Sequence, residues 1–345
     1  MKKIFVILIA AFFISSCTPK PQEYRENLFI LGTIVNITFW GVEKEKAEQA
    51  VKDIETDLKY LHVVWHPWRF GAMSRTNDLL SYGEWFSGNP SVLPIINKSK
   101  QLYKLSDGLF NPAVGHLIGM WSFHSDEILD GPAPDKNDIE SFIKDLPTMD
   151  HVEVDNYRIR GTHPKVKLDM GGIGKGMAIE RVVDYLRQAN IPNAIINAGG
   201  DLKAIGRHGD RPWSVGIRHP RQQDDILAGM DVHDNESVFT SGDYERNYED
   251  DEGKKRHHIL DPRTGYPAQG TQSVTVIHTD AALADAAATA LFIAGPDNWL
   301  KIAKQMSIKQ AMLVDEKGKV LMTEAMAKRI QLETKTGQTE IVKLP

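Results

Sequence analysis

Apolar and polar residues alternate over 30–39, a period of two that predicts a strand with one buried face. Over 43–61 the rhythm changes: Ala47, Val51, Ile54, Leu58 and Leu61 recur three or four apart among charged residues, which predicts a helix. A second helix is expected over 92–105, stopped by Ser106-Asp-Gly108, and a short one over 138–146. Segments 152–154, 157–159 and 166–168 read as strands. The last runs into 167–177, where four glycines join it to an amphipathic helix with Ile179, Val182, Val183 and Leu186 on one side. A strand over 194–197 follows, so strand, glycine turn, helix and strand suggest a right-handed crossover with its ligand edge at the strand's C-terminal end. Strands over 213–217, 237–240 and 274–277 add a meander, an alanine-rich helix covers 280–294, and 319–322 closes a hairpin around Glu316-Lys-Gly318. The succession predicts an α+β fold of mixed sheets with flanking helices. Residues 62–77 have neither period. They read as an aromatic loop, able to stack on a planar ring or simply anchored by Trp65 and Trp68 in the core.

Composition adds little to this frame: 41% hydrophobic and 25% charged residues are ordinary for a globular protein, and no repeat or linker divides the chain. The start is different. Residues 1–16 read as a secretory leader, with Lys2 and Lys3, an apolar run over 4–14 too short to span a bilayer, and Ser15-Ser16. Ile14-Ser-Ser-Cys17 resembles the lipobox of bacterial lipoproteins, which implies lipidation of Cys17 and a mature protein anchored to a membrane of the cell envelope, facing the periplasm or extracytoplasmic side. Cys17 is the only cysteine, so no disulfide or thiolate metal site is available. Residues 17–27 then form a polar tether, 28–333 the folded domain, and 334–345 a polar, weakly ordered tail. The net charge is −5, and −7 without the two leader lysines; no basic block is present, which argues against nucleic-acid binding.

Chemistry collects at four places. The glycine hinge presents main chain and a helix N-terminus, as an anionic ligand requires, with Lys175 inside the glycines and Asp169 at the strand end. It is neither a Walker loop, since Gly176 stands where Ser or Thr belongs, nor a dinucleotide fingerprint, since Met177 stands where Gly belongs. Asp285 and Thr289 lie four apart on the alanine-rich helix. They offer hard oxygen donors for Mg²⁺, or else Thr289 bonds back to a helix carbonyl and Asp285 faces solvent. Thr240-Ser-Gly-Asp-Tyr-Glu-Arg246 is dense in functional groups, and His257-His-Ile-Leu-Asp-Pro-Arg-Thr-Gly265 sets paired histidines before a proline turn, with a His as proton acceptor.

Leu168-Asp-Met-Gly-Gly-Ile-Gly-Lys-Gly, Asn197-Ala-Gly-Gly-Asp201, Thr240-Ser-Gly-Asp-Tyr-Glu-Arg, His258-Ile-Leu-Asp-Pro-Arg-Thr-Gly and Ala284-Asp-Ala-Ala-Ala-Thr289 occur in an order that resembles the ApbE-type FAD:protein FMN transferases. The likeness begins at Leu31-Gly-Thr33 and covers nearly all of the mature chain. It implies a single ApbE-like α+β domain that takes FAD as substrate, uses Mg²⁺, and passes FMN to a Ser or Thr hydroxyl of an acceptor protein with release of AMP. By position it implies Asp285, Thr289 and the Gly172 carbonyl as Mg²⁺ ligands, and FAD contacts from Leu31, Trp68, Leu109, Phe110, Asn111, Asp169, Lys175 and Leu260. His258 falls on the position of the base, with His257 as the alternative, and Asp285 is also counted as catalytic. Asn111 stands where Asp is common, Ala113 where Thr is common, and Glu180 where Asp is usual. The same residues would also serve a Mg²⁺-dependent FAD pyrophosphatase that yields FMN and AMP; a flavin-binding lipoprotein without bond cleavage is the reading from another class.

Overall fold

The computed structural model describes residues 22–125, 130–222, 224–333 and 337–344; the expected leader and Cys17 lie outside them. Among the described residues the largest sheet has nine strands whose spatial order is their chain order. They are β1 (Glu23–Ile30), β2 (Thr33–Trp40), β3 (Ala194–Ala198), β4 (Asp201–Ile205), β5 (Ser237–Gly242), β6 (Thr271–His278), β7 (Gln310–Asp315), β8 (Val320–Thr323) and β9 (Thr339–Val342). Neighbours run antiparallel except β8 and β9, which are parallel. The result is an α+β fold, as expected.

Burial explains why the central strands do not alternate cleanly. Val274 and Val276 of β6 join the main core beneath the helices, whereas Ile277 joins a second core on the opposite face. That face is covered by a three-stranded sheet of Trp213–Arg218, Ile226–Val232 and Ile330–Leu332. With both faces buried, polarity alternation has nothing to report. The helical layer contains α1 (Lys44–Val64), α2 (Ala72–Leu80), α3 (Leu93–Leu105), α4 (Gly174–Gln188) and α5 (Ala281–Gln305). Helix α5 lies on β5 and β6 and touches α4. Its seven alanines from Ala281 to Ala290 are buried, which lets it sit close to the sheet. Asp280 caps its start by accepting from Leu283 N at 2.9 Å. Gly295, at φ 71°, breaks it where the sequence predicts, and Pro296 opens a second helical run to Gln305 that the sequence reading did not include.

Three other expectations change. Residues 166–168 form no strand of the sheet: Lys167 makes one isolated parallel bridge to Val114, and Leu168 is gripped by the buried Asn77 amide, which accepts from Leu168 N at 2.7 Å and donates to its carbonyl at 2.9 Å. The crossover read from the sequence therefore does not exist as a sheet unit: one edge of the segment bonds to the main chain of 112–115, and the Asn77 side chain takes the hydrogen bonds of Leu168 that a strand on the other edge would have given. The aromatic loop shrinks to 65–71, since α1 continues to Val64 and α2 begins at Ala72. Finally, Glu23–Ile30 draws part of the expected tether into the sheet edge, and Thr339–Val342 of the expected tail pairs with β8. Main-chain pairing needs no apolar residues, so composition did not announce it.

Candidate active site

The hinge sits where α4 and α5 start side by side. Gly176, in the first turn of α4, approaches α5 so closely that a Cβ there would stand 2.5 Å from the Ala281 carbonyl oxygen and 2.7 Å from Ala282 Cα. Its N–H donates to Asp285 Oδ2 at 2.8 Å, so the carboxylate points inward, is buried, and occupies the positive end of the α4 dipole. Thr289, one turn further along, has its hydroxyl 3.3 Å from Ser241 Oγ of β5. A Cβ on Gly172 would lie 3.2 Å from Thr289 Oγ1 and 3.3 Å from the Phe110 ring. Gly172 thus stands beside Thr289, and Asp285 lies one turn before Thr289 on α5.

Lys175 does not hang free in the glycine loop. Its ammonium forms an ion pair with the buried Asp201, whose other oxygen accepts from Thr240 N at 2.9 Å. Burial alone would lower the Lys175 pKa, but Asp201, Glu245 and Asp285 outweigh it and raise it. The same burial pushes Asp285 up to about 7, reinforced by the Asp201 charge and opposed by Lys175. Glu245 is pushed up to about 7 as well, by desolvation and the Asp201 charge against the pull of Lys175 and Arg218. His258 is half-buried. Its Nδ1 is 3.2 Å from the Arg246 carbonyl oxygen, and burial, with help from His257 and Arg246, pushes its pKa down to about 3. The ring is therefore neutral; when Nδ1–H donates to that carbonyl, Nε2 is left as a proton acceptor. His257 is spent elsewhere, with Nε2 2.9 Å from the Ala268 carbonyl oxygen and Nδ1 accepting from Ile259 N.

On the other side of the hinge, Asp169 accepts from Trp68 Nε1 at 3.0 Å and from Gly171 N at 2.9 Å. The Lys167 ammonium lies 3.6 Å from the Trp68 ring centroid, and the His124 ring 4.6 Å from it. Trp68 also lines a cavity of about 550 Å³ with His116, Met120, Phe142 and Lys165. Leu109 and Phe110 are buried in the main core, and Leu31 takes a positive φ of 56° in the β1–β2 turn. The buried Asn111 amide is committed internally, donating to the Pro147 carbonyl and accepting from Ala113 N. Leu260 belongs to a third apolar cluster with Trp121 and Phe123, and pairs with Pro267. Sequence reasoning assigned no role to Asp201, Ser241 or Glu245, although the first stands in the quoted Asn-Ala-Gly-Gly-Asp motif and the others in Thr-Ser-Gly-Asp-Tyr-Glu.

Comparison with known proteins supplies the context. The chain is 32% identical over 326 residues to a protein of Rhodobacter capsulatus named FAD:protein FMN transferase, covering 94% of this chain and 61% of that protein. It therefore spans less than two thirds of that relative. A protein of the same name from Escherichia coli (strain K12) is 26% identical, with 90% of this chain and 92% of the relative covered. Among solved structures, the ApbE protein of Thermotoga maritima superposes with a TM-score of 0.79 at 32% identity, covering 89% of this chain and 99% of that one. The flavin transferase ApbE of Vibrio cholerae shares the fold, with a TM-score of 0.78 over 90% of this chain and 99% of that one, at 22% identity. The model of the ApbE family matches residues 31–313, most of the chain, and places it: this protein belongs to the ApbE family.

Proposed function

We propose that this protein transfers FMN from FAD to a Ser or Thr hydroxyl of an acceptor protein, releasing AMP, and that it uses Mg²⁺. The observation that carries the reading is the convergence of Asp285, Thr289 and Gly172 at the junction of α4 and α5. A buried carboxylate, a hydroxyl and a main-chain carbonyl are hard donors that suit Mg²⁺, whose remaining positions go to water and substrate phosphates. Among the described residues no three His, Cys, Asp or Glu side chains converge as a metal cage, which accords with a site completed by substrate oxygens. Charge accords with the same ion: the carboxylates of Asp201, Glu245 and Asp285 gather around Lys175, with Arg218 also acting on Glu245. When bound, Mg²⁺ would neutralise pyrophosphate charge and stabilise the departing AMP.

The chain's own groups have separable tasks. Trp68, fixed by Asp169, offers an aromatic face beside the hinge, and Leu31, Leu109 and Phe110 line the apolar part of the proposed FAD site. Lys175, held by Asp201, adds fixed positive potential near the phosphates and does not act as a mobile clamp. Nε2 of His258 accepts the proton of the attacking hydroxyl, whose oxygen bonds to the FMN phosphorus as the pyrophosphate P–O bond breaks and AMP leaves. Burial keeps that nitrogen unprotonated, and the negative charge of a pyrophosphate beside it would raise its proton affinity. The protein is further read as a lipoprotein held in the bacterial envelope through Cys17, facing the periplasm; Cys17→Ala should release it to the soluble fraction, and continued membrane association would remove that reading.

The deciding experiment incubates the protein with FAD, Mg²⁺ and a candidate acceptor. Covalent flavin fluorescence on the acceptor with stoichiometric AMP is expected, abolished by EDTA. Free FMN without labelled acceptor would make the protein a pyrophosphatase, and unchanged FAD a binding protein.

A further inference from the structure

The starts of α4 and α5 cap one another. Asp285 of α5 accepts from Gly176 N in the first turn of α4, at 2.8 Å. In return, Glu180 of α4 accepts from Ala281 N, the first residue of α5, at 2.7 Å. Each helix thus receives a carboxylate from its neighbour at the end where unpaired N–H groups and the positive dipole end lie. The Glu180 half of this clasp is anchored to the sheet. Lys203 of β4, 1% exposed, donates to the same Glu180 oxygen at 2.7 Å and to the Thr279 carbonyl at 2.5 Å, immediately before α5. A fully buried ammonium on a central strand is costly to desolvate. Here its two acceptors are the carboxylate that caps α5 and the main chain that leads into it.

We infer that Glu180, backed by Lys203, is a positioning residue that fixes the start of α5 so that Asp285 and Thr289 stand ready for the metal. Glu180 touches neither metal nor substrate; it acts through the main chain of Ala281, one helical turn before Asp285. The inference rests on the reading of Asp285 and Thr289 as metal ligands. Its consequence is a division of labour between the two carboxylates on the clasp: Asp285 both caps and binds, whereas Glu180 only caps.

The test uses Mn²⁺ as the probe, with free ion counted by electron paramagnetic resonance during titration of the full chain, so no turnover is needed. Glu180→Ala combined with Lys203→Met removes cap and buried counter-charge together, leaving no stranded ion; half-saturation should rise about tenfold. Glu180→Gln with Lys203→Met restores an oxygen acceptor for Ala281 N without charge and should return half-saturation to within about threefold of the unchanged protein. A merely structural role would not give this rescue at equal folded fraction. Wild-type half-saturation in the folded Ala/Met pair, or failure of Gln to rescue, overturns the inference. If the Ala/Met pair does not fold, Glu180→Leu with Lys203→Met carries the test: it fills the volume of both side chains with apolar groups but leaves Ala281 N without its acceptor. Half-saturation unchanged in that variant likewise overturns it. Asp285→Ala separates the two layers. Loss of Mn²⁺ binding there with no effect of Glu180 sinks the inference alone; undiminished binding in Asp285→Ala sinks the metal-site reading and the inference with it.

Discussion

Replacing Asp285 with Asn should make the metal-free protein more stable while abolishing flavin transfer. Burial moves the Asp285 carboxyl from 3.8 to about 7, so ionising it in the metal-free fold costs on the order of 4 kcal/mol at pH 8, at about 1.4 kcal/mol per pH unit. Asn retains an oxygen acceptor for Gly176 N at the same place, and the help that bond gives the charged form is already contained in the shift. The expectation is a gain on the order of 4 kcal/mol at pH 8, or roughly 5–6 °C in Tm for a chain of this length. The sign follows from linkage: the folded pKa lies above the unfolded one, so between 3.8 and about 7 the native state binds more protons, and stability falls as pH rises through that window. At pH 5 the ionisation cost that Asn removes should shrink to about a third of its value at pH 8. Scanning calorimetry of both proteins in EDTA at pH 5 and pH 8 measures this, with transfer activity followed in parallel at saturating Mg²⁺. An Asn variant equally or less stable at pH 8, or a gain indifferent to pH, would refute the argument that the carboxylate is held charged at the expense of the fold.

The other expectations are quicker to state. Gly176→Ala drives a methyl against the rigid main chain of Ala281 and Ala282 and should cost about 1–3 kcal/mol in urea unfolding; no loss would mean that α4 and α5 separate freely. Trp68→Phe deletes the Nε1 bond to Asp169 and should weaken FAD binding, by fluorescence titration, about fivefold; unaltered affinity would take Trp68 out of the FAD site. His258→Gln should slow transfer by about 10²–10⁴ with FAD affinity nearly retained, and a rate within about threefold of the unchanged protein would exclude His258 as the base.

Much of the architecture was legible because it is local. The stripe from Ala47 to Leu61 and the Gly295-Pro296 stop are short-range facts, and both elements formed where their patterns said. What the pattern could not supply was the identity of distant partners. Residues 166–168 have the composition of a strand, yet the hydrogen bonds of Leu168 come from Asn77, 91 residues away. Thr339–Val342 is mostly exposed, yet it extends the sheet through its main chain. Within the site, the Asp285–Thr289 pair is visible as an i, i+4 spacing on an alanine helix, whereas the Lys175–Asp201 pair joins residues that meet only through packing of α4 on β4. Lys203 is the sharpest case. A lysine in a strand reads as solvent-facing, and the Glu180 carboxylate with the Thr279 carbonyl makes its burial tolerable.

The alanines of α5 and the glycine of α4 serve the same end. A metal site that borrows a main-chain carbonyl needs backbone within about 3 Å of side-chain donors, closer than helices with ordinary side chains approach, at 8–10 Å between axes. Small residues on both surfaces, Gly176 against Ala281 and Ala282, and Gly172 against Thr289, remove that barrier. Contact this close leaves N–H groups at two helix starts without water, and an apolar junction would strand them. Reciprocal capping by Asp285 and Glu180 satisfies one from each helix with a group from the other. The carboxylate proposed to bind the metal is therefore also the one that lets the helices meet, so on that proposal the affinity of the site is tied to the packing that creates it.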